Sequence, residues 1–166
     1  MHAKKRLTAR HRRRLQNSLG AQWEVEVFGC ESGQFYPLPG ESQMSIGEAL
    51  NQVARSQFQY GWNTSNPHTM MGKRLFEAVK QHLPPTEAAD LRFYCAIGSI
   101  LDRRYATDGF FRVRNHVVLV DVTTDSLKPW KTAVIFYKSN GSPERIIATG
   151  KLIADLLMKS IAKETS

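Results

Sequence analysis

The sequence predicts a protein of the α/β (α+β) class, in which helices flank a small mixed β-sheet with a central hairpin. Three observations support this prediction. Apolar residues recur at helical spacing in three segments, at about residues 46–58, 69–83 and 143–161. Two apolar runs flank Arg114 and Asn115, as the two strands of a β-hairpin would. Helices, then strands, then a last helix are typical of helices packed on one sheet.

The chain is expected to form one domain behind a basic arm. A length of 166 residues and a hydrophobic content of 42% suffice for a single core. Seven Lys and Arg residues precede the first acid, Glu24, so the net charge of +8 leaves only 8 − 7 = +1 for the rest of the chain. The seven are Lys4, Lys5, Arg6, Arg10, Arg12, Arg13 and Arg14. We expect residues 1–21 to form a disordered arm and residues 22–166 to form the domain.

The arm predicts nucleic acid as the partner. Clustered Lys and Arg side chains attract phosphates independently of base sequence, and salt weakens this attraction. The same composition also fits a solvated leader or an organellar transit peptide. A membrane partner is not expected, because only Leu7, Leu15 and Leu19 offer apolar anchorage. Cys30 and Cys95 lack a metal-ligand spacing, and with no export segment they predict a cytoplasmic protein with reduced thiols.

The first half of the domain is predicted to be mainly helical. Residues 23–27 alternate between apolar and acidic side chains, which predicts a half-exposed strand. A helix should follow from about residue 46 to residue 58, since Ser45 and Glu48 have the spacing of a capping box. Residues 61–67 are predicted to form a turn-rich loop that serves either as a lid or as a connector.

The second half is predicted to carry the sheet. A helix at about 69–83, stopped by two prolines, leads through a short helical segment to an extended stretch at 91–97. After the hairpin we expect a strand at residues 131–137. Ser142 followed by Pro143 then marks the start of the last helix, because serine is a good N-cap and proline fits the first helical position.

Two aspartates lie at the ends of the predicted hairpin. If a two-residue loop joins the strands, the register places Asp108 directly opposite Asp121. Directly opposed residues have Cβ atoms roughly 4.5–5.5 Å apart, and like charges there destabilise a sheet. A cation between them would relieve this repulsion. A three-residue loop would instead send the carboxylates to opposite faces, and aspartate at a strand end can also cap a turn or contact water.

Asp121 makes the stronger case for a metal site. It ends a run, residues 117–120, that is apolar on both faces, as in a buried central strand. An ionised carboxylate in such a place needs a partner or a metal ion. The sequence therefore predicts a cation bound at this end of the hairpin.

The order of elements and the two aspartates resemble the PD-(D/E)XK nuclease superfamily, which includes restriction enzymes and nucleases of DNA repair and mobile elements. The resemblance covers about residues 70–160. It implies a restriction-endonuclease-like fold in which Asp108 and Asp121 are catalytic and hold Mg²⁺ or Mn²⁺. The backbone carbonyl of Val122 would be a third metal ligand. Glu77, on the helix before the strands, would assist catalysis.

The chain departs from the family pattern at one position. The family lysine normally lies two residues after the second acid, where this chain has Thr123. Lys131 is the first candidate to replace it and Lys128 the second, although either could be an ordinary surface lysine. Asp102 could be a third acid of the site or could stabilise a turn. Arg112 shares the predicted strand face of both acids and is expected to bind phosphate, a salt bridge at the strand edge being the other interpretation.

These features together predict a metal-dependent endonuclease, a hydrolase whose basic arm binds the substrate. We expect DNA rather than RNA as that substrate. The alternative is a catalytically inactive nucleic-acid-binding protein, or a structural protein of a mobile element, with the arm as the main contact in both. Cleavage of both strands of a duplex by so small a domain would call for a homodimer or a larger complex.

Overall fold

The computed structural model describes residues 19, 21–29, 43–57, 61–123, 134–137 and 141–164. Within these residues, six helices flank a four-stranded sheet, which confirms the predicted α+β class. The first helix, α1, covers residues 21–28. The other elements, in chain order, are α2 (Ile46–Ser56), α3 (Met70–Lys80), α4 (Pro85–Asp90), β1 (Arg92–Cys95), α5 (Ile100–Tyr105), β2 (Gly109–Val113), β3 (His116–Thr123), β4 (Val134–Tyr137) and α6 (Pro143–Glu164).

The sheet is mixed, with its strands in the order β1-β2-β3-β4. β1, β2 and β3 pair antiparallel, and β4 lies parallel to β3. β2 and β3 form the predicted hairpin, with Val113 paired to His116 beside the turn. β3 therefore has a strand on each side, and helices cover both faces of the sheet, which accounts for the apolar character of both of its faces.

The helix boundaries follow the local signals that predicted them. Ser45 and Glu48 form the expected capping box, in which the Ser45 N–H donates to Glu48 Oε2 at 2.8 Å and the Glu48 N–H donates to Ser45 Oγ at 3.3 Å. Thr69 caps α3 with its side chain. At the start of α6, Ser142 Oγ accepts a hydrogen bond from the Arg145 N–H at 3.4 Å.

The helix α1 replaces the strand that the sequence predicts at residues 23–27. Trp23 and Val27 are buried one helical turn apart, whereas Val25 between them lies on the exposed side. Burial therefore follows the period of a helix rather than that of a strand. The strand prediction is wrong because an apolar pair spaced by four residues satisfies both periods, and packing against the sheet selects the helical one.

The two faces of the sheet carry separate hydrophobic clusters. One face packs against α1, α3 and α6 and buries Phe93 and Phe111. The other face packs against α2 and α5 and includes Phe110 and Leu119. Because side chains alternate along a strand, Asp121 shares the face of Leu119. The acid-bearing end of the hairpin thus lies on the side covered by α2 and α5.

The loop before α3 and the end of α2 close the free edge of β1. The Phe93 N–H donates to Thr64 O at 2.8 Å, and Trp62 Nε1 donates to Phe93 O at 2.7 Å. The Gln57 side chain accepts from the Cys95 N–H at 2.9 Å and donates to Cys95 O at 2.8 Å. An open strand edge would invite pairing with another chain. The loop, predicted as a lid or a connector, is therefore a connector that protects the sheet edge.

Helices α3 and α6 cross in close contact over the first face. A Cβ atom built on Gly150 would lie 2.6 Å from the Cβ atom of Ala78. Glycine within a helix costs about 1 kcal/mol relative to alanine, and here it permits the close approach of the two helices. No helix in the described parts of the chain, α6 included, has the length and apolar character needed to span a membrane.

Candidate functional site

The two aspartates lie where the hairpin ends beside the neighbouring strands. The ladder pairs Gly109 with Val120, so Asp108 precedes and Asp121 follows the last pair. On its other side, the Asp108 carbonyl accepts from the Ala96 N–H at 2.8 Å. The Asp108 backbone is therefore held between the end of β1 and β3.

Asp108 lies at an irregularity of the ladder. Its N–H donates to Val120 O at 3.0 Å, although Val120 is already the partner of Gly109. Two consecutive residues that oppose one residue of the next strand form a β-bulge, which redirects the local side chain. The predicted direct opposition of Asp108 and Asp121 is thus replaced by a bulged arrangement.

The carboxyl groups of the two aspartates meet inside the protein. Asp108 is 4% exposed and Asp121 is 3% exposed. Their side chains share a hydrogen bond, and Asp108 Oδ2 also accepts from the Val122 N–H at 2.7 Å. A hydrogen bond between two carboxyl groups requires a proton on one of them. The structure therefore brings the two acids together, as the hairpin register predicts.

The surroundings of Asp108 favour its neutral form. Burial raises the pKa of the Asp108 carboxyl well above its usual value, and the charges of Asp121 and then Asp102 raise this pKa further. The hydrogen bond from the Val122 N–H acts in the opposite direction and does not compensate. A proton on Asp108 or a cation beside the pair would relieve the repulsion between the two carboxyl groups.

Gly109 explains how the bulge fits into the core. A Cβ atom built on Gly109 would lie 2.6 Å from Cζ of Phe28 and 2.7 Å from Tyr94 O. Only glycine therefore allows α1 to pack over the start of β2 next to Asp108. This residue is not among the predicted site residues, although a glycine within an apolar strand is a known signal of a bulge or of close backbone approach.

Asp102 has the turn-stabilising role that the sequence left open, and it also influences the site. It lies in the first turn of α5, a short helix that was not predicted from the sequence and that Ser99 caps. Asp102 Oδ2 accepts from the Gly98 N–H at 2.7 Å, which fixes the turn before the helix. Because its charge also raises the pKa of Asp108, α5 holds a third acid near the pair.

The position of the family lysine is buried in this protein. Thr123 is 7% exposed and lies at the end of β3, two residues after Asp121 and on the same side of the strand. A lysine at this position would have to bury its ammonium group beside the two acids. Lys131 and Lys128, the predicted replacements, lie outside the described residues.

Glu77 does not reach the two acids, contrary to the catalytic role predicted for it. It lies on α3 and lines a groove between α3 and α6. These helices cover the first face of the sheet, whereas Asp121 lies on the face covered by α2 and α5. The sequence could not indicate this placement, because the helical period shows which residues of α3 point inward but not which face of the sheet the helix covers.

Arg112 shares the acid-bearing face but lies near the other end of the hairpin. It is four residues along the strand from Asp108, which corresponds to roughly 13 Å. Its guanidinium donates to Arg114 O at 2.6 Å and to Asn51 Oδ1 of α2 at 3.4 Å. The structure therefore keeps Arg112 away from the acid pair, and contact with a more distant phosphate stays a prediction.

The described residues account for only part of the predicted site. Lys4, Lys5, Arg6, Arg10, Arg12, Arg13 and Arg14 of the arm lie outside them. Within the described ranges, no group of three or more His, Cys, Asp or Glu side chains is arranged to hold a metal ion. The Asp108 and Asp121 pair therefore supplies two carboxyl groups, and backbone carbonyls, water and substrate are further ligands that a hard cation accepts.

A separate set of hydrogen-bonded polar side chains links the hairpin turn to the end of α6. His116 Nδ1 lies 2.9 Å from Ser160 Oγ, and His116 Nε2 lies 2.8 Å from Glu164 Oε2. The residue types are those of a nucleophilic triad, but Ser160 lies within α6, where the backbone N–H groups are engaged in helical hydrogen bonds. These contacts therefore tie the hairpin to α6 and offer no stabilisation to an oxyanion.

Comparison with known proteins assigns no family to the chain. No family model, no curated protein and no solved structure matches it. The resemblance to PD-(D/E)XK nucleases therefore depends on the sequence pattern and on the geometry of the hairpin.

Proposed function

We propose that the chain is a divalent-metal-dependent nuclease that hydrolyses phosphodiester bonds, with DNA as the expected substrate. The buried hydrogen-bonded pair Asp108 and Asp121 is the observation that supports this proposal. Burying two acids side by side lowers stability. Strongly perturbed carboxyl pKa values of this kind are typical of functional sites.

The donor set fits a hard cation such as Mg²⁺ or Mn²⁺. Carboxylate oxygens are the ligands these ions prefer, and Mg²⁺ keeps several waters when one or two carboxylates bind it. Asp108 and Asp121 would hold the ion, with the carbonyl oxygen of Val122 as the proposed third protein ligand. When bound, the ion would stabilise charge on the scissile phosphate and lower the pKa of a water molecule.

The surrounding residues would prepare the two acids for this role. The Val122 N–H orients the Asp108 carboxyl through its 2.7 Å hydrogen bond. The parallel pairing of Asp121 with Ile135 fixes the backbone of the second acid. We propose that Lys131, shortly before β4, orients the attacking water or stabilises the phosphate in place of the family lysine.

The alternative is a nucleic-acid-binding protein without catalysis, or a structural protein of a mobile element. The observation that favours it is Thr123, which occupies the family lysine position and is buried there. In that case the acid pair would be the remnant of a metal site, and the arm would carry binding.

Cleavage by the full chain tests the proposal. End-labelled single- and double-stranded DNA and RNA are incubated with the protein in Mg²⁺, in Mn²⁺ or in EDTA. We expect products in the two metals and none in EDTA. If the protein binds these substrates yet yields no product in either metal, the catalytic proposal fails and the binding protein is favoured.

Deleting residues 1–14 is expected to weaken binding and to flatten its dependence on salt. Each neutralised phosphate of duplex DNA contributes about 0.9 to the slope of log K against log salt, so seven cations contribute up to about 6. Fluorescence anisotropy over a salt series measures this slope. A matched variant keeps the arm length but has glutamine in place of its seven basic residues. An unchanged slope in both would exclude the arm as the phosphate contact.

A further inference from the structure

A groove of about 610 Å³ lies between α3 and the first turns of α6. Its apolar walls include Met70 and Ile147, which are 71% and 50% exposed. Large apolar side chains exposed this far beside a groove mark a contact surface. The groove lies on the sheet face opposite the two acids, so its role is separate from the proposed nuclease site.

The side of α3 that faces the groove is self-complementary. It consists of Met70, Lys73, Arg74, Glu77, Ala78 and Gln81. When two copies of this helix pack antiparallel about a two-fold axis, there is one register in which every residue of this set faces another member of the set on the second copy. Met70 then faces Gln81, Lys73 faces Ala78, and Arg74 faces Glu77. An isologous interface requires such a self-complementary pattern.

The charges of the groove lack partners within the part of the chain that the structure describes. No hydrogen bond or ion pair there engages the side chain of Arg74 or of Glu77, although Glu77 is half-buried. A cation that precedes an acid on a helix is the less favourable order for a pair within the same helix. Across a two-fold axis, the planar Arg74 guanidinium could meet the Glu77 carboxylate twice, once from each copy.

We propose that this groove is the interface of a homodimer, with α3 of a second copy as its occupant. Met70 and Ile147 supply apolar area, and two symmetry-related pairs of Arg74 with Glu77 set the register. A purely acidic or purely basic partner fits less well, because the groove presents both signs of charge. The dimer leaves the opposite sheet face, with Asp108 and Asp121, free of the interface.

Charge reversal tests the interface in the full-length protein. Arg74→Glu and Glu77→Arg each place like charges at both symmetry-related contacts, so each variant should dimerise at least about tenfold more weakly than wild type. An equimolar mixture of the two variants restores opposite charges at both contacts. We expect a heterodimer with a dissociation constant within about threefold of the wild-type value. Analytical ultracentrifugation over a concentration series measures these constants.

Arg55→Glu, a matched reversal on the exposed surface of α2, should leave dimerisation unchanged. Circular dichroism verifies that all variants fold. A wild-type chain that stays monomeric over the whole series overturns the proposal and leaves the groove to an unlike ligand. A dimer that both single reversals leave intact also overturns it, since the interface would then lie elsewhere. Neither result bears on metal-dependent cleavage, which is measured separately.

Discussion

Asp121→Asn is expected to lower Mg²⁺-dependent cleavage by about 10²- to 10³-fold or more, the scale on which single electrostatic groups act at active sites. Asparagine keeps the size of the side chain but removes the charge that would hold the cation. Asp121 is 3% exposed and hydrogen-bonded to Asp108, so the substitution acts directly on the acid pair.

Binding separates this result from simple unfolding. The substituted protein should bind DNA as tightly as wild type, because the arm and the exposed arginines are unchanged. Asp155→Asn, at an exposed aspartate of α6, is the matched control and should cleave at the wild-type rate. Initial rates with a labelled duplex and anisotropy in EDTA provide the two measurements. Equal cleavage by Asp121→Asn and wild type would refute the proposed site.

Asp108→Asn is expected to raise the free energy of unfolding at pH 7, since a carboxyl group whose pKa is raised in the folded state lowers stability once the pH exceeds its unfolded pKa. Asparagine can still accept from the Val122 N–H and donate to Asp121, so the hydrogen bonds of the site persist. What disappears is the energetic cost of a carboxyl group whose pKa is raised by burial and by the charge of Asp121.

The sign of the pH dependence follows from the raised pKa. Between the pKa of unfolded aspartate, about 3.9, and the higher pKa of folded Asp108, the folded chain binds more protons than the unfolded chain. Wild type should therefore lose stability relative to Asp108→Asn as pH rises through this window. Urea unfolding at several pH values measures the difference, with Asp155→Asn as the control.

Added Mg²⁺ should increase the stability of wild type but not that of Asp108→Asn. A cation that binds the folded acid pair stabilises the folded state by mass action and relieves the repulsion between the two carboxylates. The midpoint of urea unfolding should therefore rise with Mg²⁺ in wild type alone.

In the pH series, a stability difference between wild type and Asp108→Asn that stays constant with pH would contradict burial and the Asp121 charge as the causes of the raised Asp108 pKa.

Several elements followed from local sequence signals because the interactions that define them are local. The capping box of Ser45 and Glu48 spans four residues and forms as predicted. The hairpin pairs Val113 with His116 because a two-residue turn sets the register of both strands. That register places Asp108 and Asp121 at the same end of the hairpin, which is why the acid pair could be predicted from sequence, although a bulge replaces the direct opposition.

Other features depend on contacts between distant segments and could not be predicted. Residues 21–28 are helical because Trp23 and Val27 bury against the sheet. The bulge at Asp108 depends on Gly109, whose missing side chain makes room for Phe28 from the start of the chain. A glycine within an apolar strand signals a bulge or a close backbone approach, but it does not identify Phe28 as the residue that packs there, since the contacting atoms belong to residues far apart in sequence.

The sequence by itself determined the class of the fold, the hairpin and the identity of the two acids, since turn geometry and side-chain periodicity act over a few residues. Only the tertiary structure decided that Asp102 lies near the pair and that Glu77 does not. Periodicity shows which side of a helix is apolar, but the face of the sheet that the helix covers depends on packing of the whole chain. Because of that packing, Glu77 lies in the groove between α3 and α6 and not at the predicted active site.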